Sequence, residues 1–315
     1  MLKNRRKYHK HSYKYHIMST LTPIDEAAKA GNLTLLMRLH LEGQEWTTDT
    51  MAYAALGGHL ECLIYLHEHG CEMNKWVTAN AASGGHLECL KYLHKNGFSW
   101  DECSHSWAAG NGRLECLRYL HENGCQWDIN ATRYAAAGGH LDCLRYLHEH
   151  GCEWDNYVFA FAAKNGHLDC IHYLYEHGCE WDEDVSTWAA KYGHLDCLKY
   201  LHETGFKWSQ YAIEWAAENG HLDCLKYLHQ NGCPYESTNL FYSLNKHIDK
   251  LDFDQHSWLR EFLFPYVDSN DLPAKLKQTC KAKIAQIKLE KQALEAELID
   301  KLTFDVVKHC VVVFI

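Results

Sequence analysis

Cysteine and histidine recur at fixed positions along this chain, and both residue types bind metal ions. His59 and Cys62 are three residues apart, which places them on one face of a helix, and a similar pair returns every 27 residues. A neutral imidazole and a thiolate suit zinc, but a zinc site needs four ligands that converge on one point. A regular recurrence produces parallel columns instead. We therefore expect neither a metal nor any other cofactor, and we expect these side chains to pack.

The cysteines form two columns. Free cysteine packs as a small hydrophobe, and Phe98 and Phe206 stand in for cysteine in the second column. Disulfides are disfavoured because stacked helices lie about 8 to 10 Å apart, whereas bridged Cα atoms lie about 4.4 to 6.8 Å apart. We expect reduced thiols in a first column of Cys62, Cys89, Cys116, Cys143, Cys170, Cys197 and Cys224, and in a second of Cys71, Cys125, Cys152, Cys179 and Cys233.

A third column consists of histidine and a fourth of tryptophan. Histidine titrates near neutral pH and could act as a switch, but we favour a packing residue with a polar tip. Each indole is expected to cover the seam between repeats and to bury about 150 to 250 Å². The aspartate after most of these tryptophans is predicted to cap the next helix. The columns are His40, His67, His94, His121, His148, His202 and His229, interrupted by Tyr175, and Trp46, Trp100, Trp127, Trp154, Trp181 and Trp208.

All four columns follow one internal repeat, which predicts an all-α protein. About eight copies run from Thr22 to Tyr235. Within a copy, Ala81-Ala82 precedes a glycine-containing turn, the leucines of residues 87–93 follow at helical spacing, and Gly97 ends the second helix. Stacked helical hairpins bury a continuous core that one hairpin lacks. The motif Gly-His-Leu-Glu/Asp-Cys-Leu marks the copies at His59, His86, His140, His167, His194 and His221, with Arg113 in the remaining place.

Residues Ala81 to Gly97 resemble the helical half of an ankyrin repeat. Ankyrin repeats span about 33 residues, and these shorter copies lack the segment that builds the projecting hairpin. The resemblance implies an ankyrin-like helical solenoid with reduced or absent hairpins, and a small buried residue at each cysteine column. The short repeats also resemble ankyrin proteins of giant DNA viruses and some protists. That similarity implies binding of a partner protein, often a host protein.

Composition excludes several other classes of function. A net charge of -10 and a pI near 6.2 argue against a dedicated nucleic-acid binder. No run of about 18 apolar residues predicts a membrane span, and no secretory signal is recognisable. We expect an intracellular protein, cytoplasmic rather than nuclear. The sequence contains no glycine-rich phosphate loop and no convergent catalytic set, so we expect neither an enzyme nor a small-molecule substrate.

A partner is expected to bind where the repeats differ, just before each alanine pair. The resemblance places this first helix on the concave face of the stack, where aromatic and arginine side chains would dominate binding. The predicted contact residues are Trp76, His105, Arg133, Tyr157, Asp184 and Tyr211. A regular aromatic column directly before each alanine pair is assigned to the core instead: Tyr53, Trp107, Tyr134, Phe161, Trp188 and Trp215.

The ends depart from the repeat. Residues 1–21 are predicted to form a basic, disordered arm, with nucleic-acid contact or nuclear import as alternatives. The array occupies residues 22–236, capping helices residues 237–271, and a charged amphipathic helix with an apolar tail residues 272–315. That helix could dock on the cap or self-associate. Leu272-Pro273 loosely resembles an F-box opening, so the alternative function is a substrate adaptor that recruits a ubiquitin ligase through the C-terminal region.

Overall fold

The computed structural model describes residues 21–72, 74, 76–100, 103–247 and 257–313, without the side chains of residues 238 and 296–313. Within these ranges the regular structure is helical and contains no strand, which confirms the predicted all-α class. The segments that join repeats therefore form no β-hairpin there. The chain divides into two compact units, Met1–Trp181 and Asp182–Ile315. Apart from Leu21, the predicted basic arm lies outside the described residues.

The described part of the first unit is a stack of helical hairpins. The first helices of successive repeats make most of the contacts between repeats, and the second helices make few. The hairpins are α1 (Pro23–Lys29) with α2 (Leu33–Leu41), α3 (Thr50–Gly57) with α4 (Leu60–Glu68), α5 (Val77–Gly84) with α6 (Leu87–Lys95), α7 (Cys103–Gly110) with α8 (Leu114–Glu122), α9 (Ile129–Gly138) with α10 (Leu141–Glu149), and α11 (Asn156–Asn165) with α12 (Leu168–Glu176).

The second unit continues the same pattern and ends in a long helix. Its hairpins are followed by a further first helix, which packs on the preceding one. No helix of the described residues is long and apolar enough to cross a membrane. The elements are α13 (Asp184–Tyr192), α14 (Leu195–Glu203), α15 (Ala212–Asn219), α16 (Leu222–Gln230), α17 (Ser237–Asn245), α18 (Trp258–Leu263), a 3₁₀ turn (Phe264–Tyr266) and α19 (Ala274–Val313).

Side chains at the helix starts satisfy the backbone N–H groups that a helix leaves unpaired. Thr22 and Asp25 form a reciprocal capping box at the start of α1. Asp128 accepts a hydrogen bond from the N–H of Asn130, and Asp155 accepts one from the N–H of Tyr157. The predicted capping role of the aspartate after tryptophan is confirmed at these two positions.

The alanine pairs explain why the first helices lie so close together. Ala54 and Ala55 are fully buried, as are the equivalent alanines of the other repeats. Small side chains on this face let neighbouring helices approach, while Leu63 and Leu66 fill the space between the two helices of a hairpin. The core of each unit is thus a repeated layer of alanine, leucine and cysteine.

Candidate partner-binding surface

The first helices differ in exposure: α5 is buried from Val77 to Ser83, whereas α11 has one buried face and one face open to solvent. In α11 the buried residues are Val158, Phe159 and the pair Ala162–Ala163. Tyr157 is exposed, and Phe161 is partly exposed. The spacing of four residues between Tyr157 and Phe161 places both rings on the same face of the helix. The corresponding positions of the other first helices define the surface that the sequence predicts to bind a partner.

Arg133 connects two first helices of the first unit. Its guanidinium forms an ion pair with Asp155, and Nε lies 3.2 Å from Oδ1 of that carboxylate. The same guanidinium lies 5.4 Å from the centre of the Tyr157 ring and donates to the Asn130 side chain at 3.1 Å. Because Asp155 also caps α11, Arg133 is held in one position while Tyr157 keeps 51% of its surface exposed. These two predicted residues therefore form one local cluster.

Trp76 and Trp107 form a second cluster in this unit. Their rings are nearly parallel, at 10°, and their centres are 5.5 Å apart. Trp76 lies at the start of α5, where the Asn74 side chain accepts its backbone N–H at 2.9 Å. Both indoles are partly exposed. A stacked aromatic pair presents a flat apolar surface whose geometry is fixed before any partner binds.

The expectation that His105 belongs to this surface is wrong. Its side chain is fully buried in α7. In the repeat it occupies the same position as Thr78 and Thr132, which are also buried. The hydroxyls of these two threonines donate to the carbonyls of Ser99 and Glu153. Burial lowers the pKa of His105 to about 4, and neither ring nitrogen has a hydrogen-bond partner among the described residues. His105 therefore replaces a buried threonine.

The second unit presents a similar surface. Tyr211 is 50% exposed and Asp184 is partly exposed, each near the start of its helix. The ammonium of Lys191 lies 3.6 Å from the centre of the Trp215 ring and 5.6 Å from that of Trp188. A lysine between two indoles combines a positive charge with a broad apolar area.

The aromatic column that sequence analysis assigned to the core lies largely at the edge of the core, with its rings partly exposed. Tyr53 is buried, as expected, but the other five rings are partly exposed: Trp107, Tyr134, Phe161, Trp188 and Trp215. The alanine pair occupies the tightly packed face, and the residue before it lies at the edge of that face, where a large ring emerges into solvent. The sequence contains a signal for this exposure. Trp188 and Trp215 lie four residues after Asp184 and Tyr211, and this spacing places each tryptophan on the same helix face as a predicted contact residue.

The cysteine columns lie in the core. Cys143 is 1% exposed and Cys152 is 4% exposed, and all described cysteines are free thiols. Burial raises the pKa of both to about 12, so both are protonated at neutral pH. Metal binding requires a thiolate, and the described residues contain no group of three or more histidine, cysteine or acidic side chains that could hold a metal ion.

The histidine column forms a ladder along the second helices. Nδ1 of His121 lies 2.9 Å from the hydroxyl of Tyr146 in the following repeat, and its ring stacks on Trp127 at 4.0 Å. His40, His67, His94 and His148 pair with tyrosines of their next repeats in the same way. The predicted packing role with a polar tip agrees with this geometry.

In the second unit, Trp208 also donates to the Asn231 carbonyl at 3.1 Å, so this indole spans the seam between repeats.

These features define a helical-repeat protein with an aromatic surface on its first helices. A family model of ankyrin repeats in three copies matches residues 78–158, 105–185 and 159–239, and a second model of ankyrin repeats in many copies matches residues 51–94. The chain belongs to the ankyrin repeat family. A comparison with curated proteins finds no match. Ankyrin repeats are generally protein–protein interaction modules without catalytic activity.

Proposed function

We propose that a partner protein binds the exposed face of the first helices. The observation that carries this proposal is the row of partly exposed aromatic rings, fixed by charged neighbours, at equivalent positions of successive repeats. Tryptophan, tyrosine and arginine are the residues that most often dominate binding energy at protein interfaces. The proposed contact residues are Trp76, Trp107, Arg133 and Tyr157 in the first unit, and Asp184, Trp188, Tyr211 and Trp215 in the second.

The surface is organised before binding. The ion pair between Arg133 and Asp155 and the stacking of Trp76 on Trp107 restrict side chains that would otherwise lose conformational freedom on association. Immobilising a flexible side chain at an interface costs about 0.5 to 1.5 kcal/mol. A fixed surface avoids part of that cost, which supports a role in recognition.

Affinity purification of the tagged full chain from its native cell, followed by mass spectrometry, tests the proposal. Replacing Tyr157 and Tyr211 by alanine removes two half-exposed rings from the surface. The control replaces Met37 and Leu41, which are exposed on α2, by alanine. We expect a specific partner with the control and its loss with the tyrosine variant. Equal recovery with both variants would refute the proposed surface.

The same purification tests the alternative function. Ubiquitin-ligase subunits among the captured proteins would favour an adaptor that acts through residues 240–315. The resemblance of the short repeats to ankyrin proteins of giant DNA viruses and some protists predicts that the captured partner is a host protein.

We further propose that this interaction takes place inside the cell, in the cytoplasm. The described cysteines are free thiols, and most are buried. This state fits a reducing compartment, where disulfides are rare. Fluorescence imaging of the tagged full chain tests the location, and nuclear accumulation would instead favour an import role for the basic N-terminal segment.

A further inference from the structure

Among the residues of helix α19 whose side chains the structure describes, the buried ones lie at its beginning. Leu276 and Cys280 are fully buried, and α19 contacts α17. From Lys281 to Glu295 every side chain is exposed or partly exposed. A stretch of 15 residues corresponds to about 22 Å of helix. This stretch therefore extends away from the layer that anchors α19.

The apolar stripe that anchors α19 continues along the exposed stretch. Ile284, Ile287 and Leu294 follow Leu276 and Cys280 at spacings of three, four and seven residues, which keeps all five on one face of the helix. Leu294 is 66% exposed, and the two isoleucines are partly exposed. Exposed apolar residues in heptad spacing are typical of a helix that pairs with another helix.

The charges beside this stripe indicate the orientation of that second helix. Residues 275–288 contain five lysines and no acidic residue, whereas residues 289–300 contain four acidic residues and one lysine. In a parallel pair of identical helices, Lys283 would face Lys288 of the second copy, and Glu290 would face Glu295 of the second copy. In an antiparallel pair, the basic half of each helix lies along the acidic half of the other.

We propose that α19 pairs antiparallel with α19 of a second copy of this chain. Ile284, Ile287 and Leu294 form the apolar contact, and the lysine-rich and glutamate-rich halves lie side by side. Lys291 interrupts the apolar stripe. A polar residue at such a position fixes register at some cost in stability. The residues of this dimer contact differ from those proposed to bind a partner.

Charge reversal tests both the pairing and its orientation in the full chain. An acidic variant carries Lys281→Glu, Lys283→Glu and Lys288→Glu, and a basic variant carries Glu290→Lys and Glu295→Lys. Each variant gives the whole exposed stretch predominantly one sign, so each repels a second copy of itself. Sedimentation equilibrium measures the molar mass. A control with Lys199→Glu and Lys226→Glu reverses charges on α14 and α16 of the same unit.

The unaltered chain and the control are expected to be dimers, and each α19 variant is expected to have half that molar mass. An equimolar mixture of the acidic and basic variants should recover the dimer, which also shows that neither variant is misfolded. A monomeric unaltered chain, a dimer that survives either reversal, or a mixture that stays monomeric would each overturn the proposal.

Discussion

His86 reaches back into the preceding repeat, where its Nε2 donates to the carbonyl oxygen of Leu56 at 2.9 Å. Its ring lies directly over Gly58, so that a β-carbon at Gly58 would be 2.2 Å from Nδ1. His59 and His167 make the same bond to Lys29 and Ala137. This contact joins the turn of one repeat to the second helix of the next.

Gly58→Ala is expected to destabilise the first unit more than Gly70→Ala. Both glycines have positive φ, 74° and 77°, which costs a non-glycine residue about 1 to 2 kcal/mol. Only alanine at residue 58 also displaces His86, because a β-carbon at Gly70 meets no atom within 4 Å. In Gly58→Ala we expect the free energy of unfolding to fall by about 1 kcal/mol more, because the hydrogen bond of His86 is broken. Urea unfolding of both variants measures the difference, and equal losses would refute the role of His86.

The buried His105 predicts acid sensitivity. Its pKa falls from 6.5 to about 4 on folding, so the unfolded chain binds more protons between these values. The stability associated with neutral His105 is therefore present above pH 6.5 and is lost as pH falls toward 4. A shift of this size corresponds to about 3 kcal/mol.

His105→Thr restores the residue type found at Thr78 and Thr132, and threonine does not titrate. We expect its unfolding midpoint in urea to fall less between pH 7 and pH 4 than that of the unaltered chain. Comparing the pH dependence rather than the absolute stability removes the effect of the change in side-chain volume. Identical pH profiles would contradict the assignment of His105 as a buried neutral residue.

Cys143→Ala tests the packing role of the first cysteine column. The side chain is buried, and removing its sulfur atom leaves a small cavity. We therefore expect the free energy of unfolding to fall by about 1 kcal/mol. We expect no change in metal content, because the protonated thiol is not a metal ligand. Stoichiometric zinc in the purified chain, lost on this substitution, would contradict the packing role.

Much of the fold follows from the sequence because packing imposes one period on many residue types. The turn glycines, alanine pairs, leucines and cysteines mark the same hairpin in each copy. The position of an individual side chain around its helix is harder to predict. His105 carries a polar ring into a buried register, whereas Trp215 belongs to a regular column but emerges at its edge. The equivalent residues of other repeats, Thr78 and Thr132, are small and buried, and they indicate that His105 is buried as well.

The contribution of Arg133 to partner binding tests the central claim most directly. Arg118 on α8 provides a matched control, because its guanidinium lies 5.3 Å from the centre of the Tyr146 ring, compared with 5.4 Å between Arg133 and Tyr157. Isothermal titration of the captured partner should show that Arg133→Ala weakens binding by about 2 kcal/mol, roughly 30-fold. Arg118→Ala should leave the affinity unchanged. Equal affinities for the two variants would contradict recognition through the first helices.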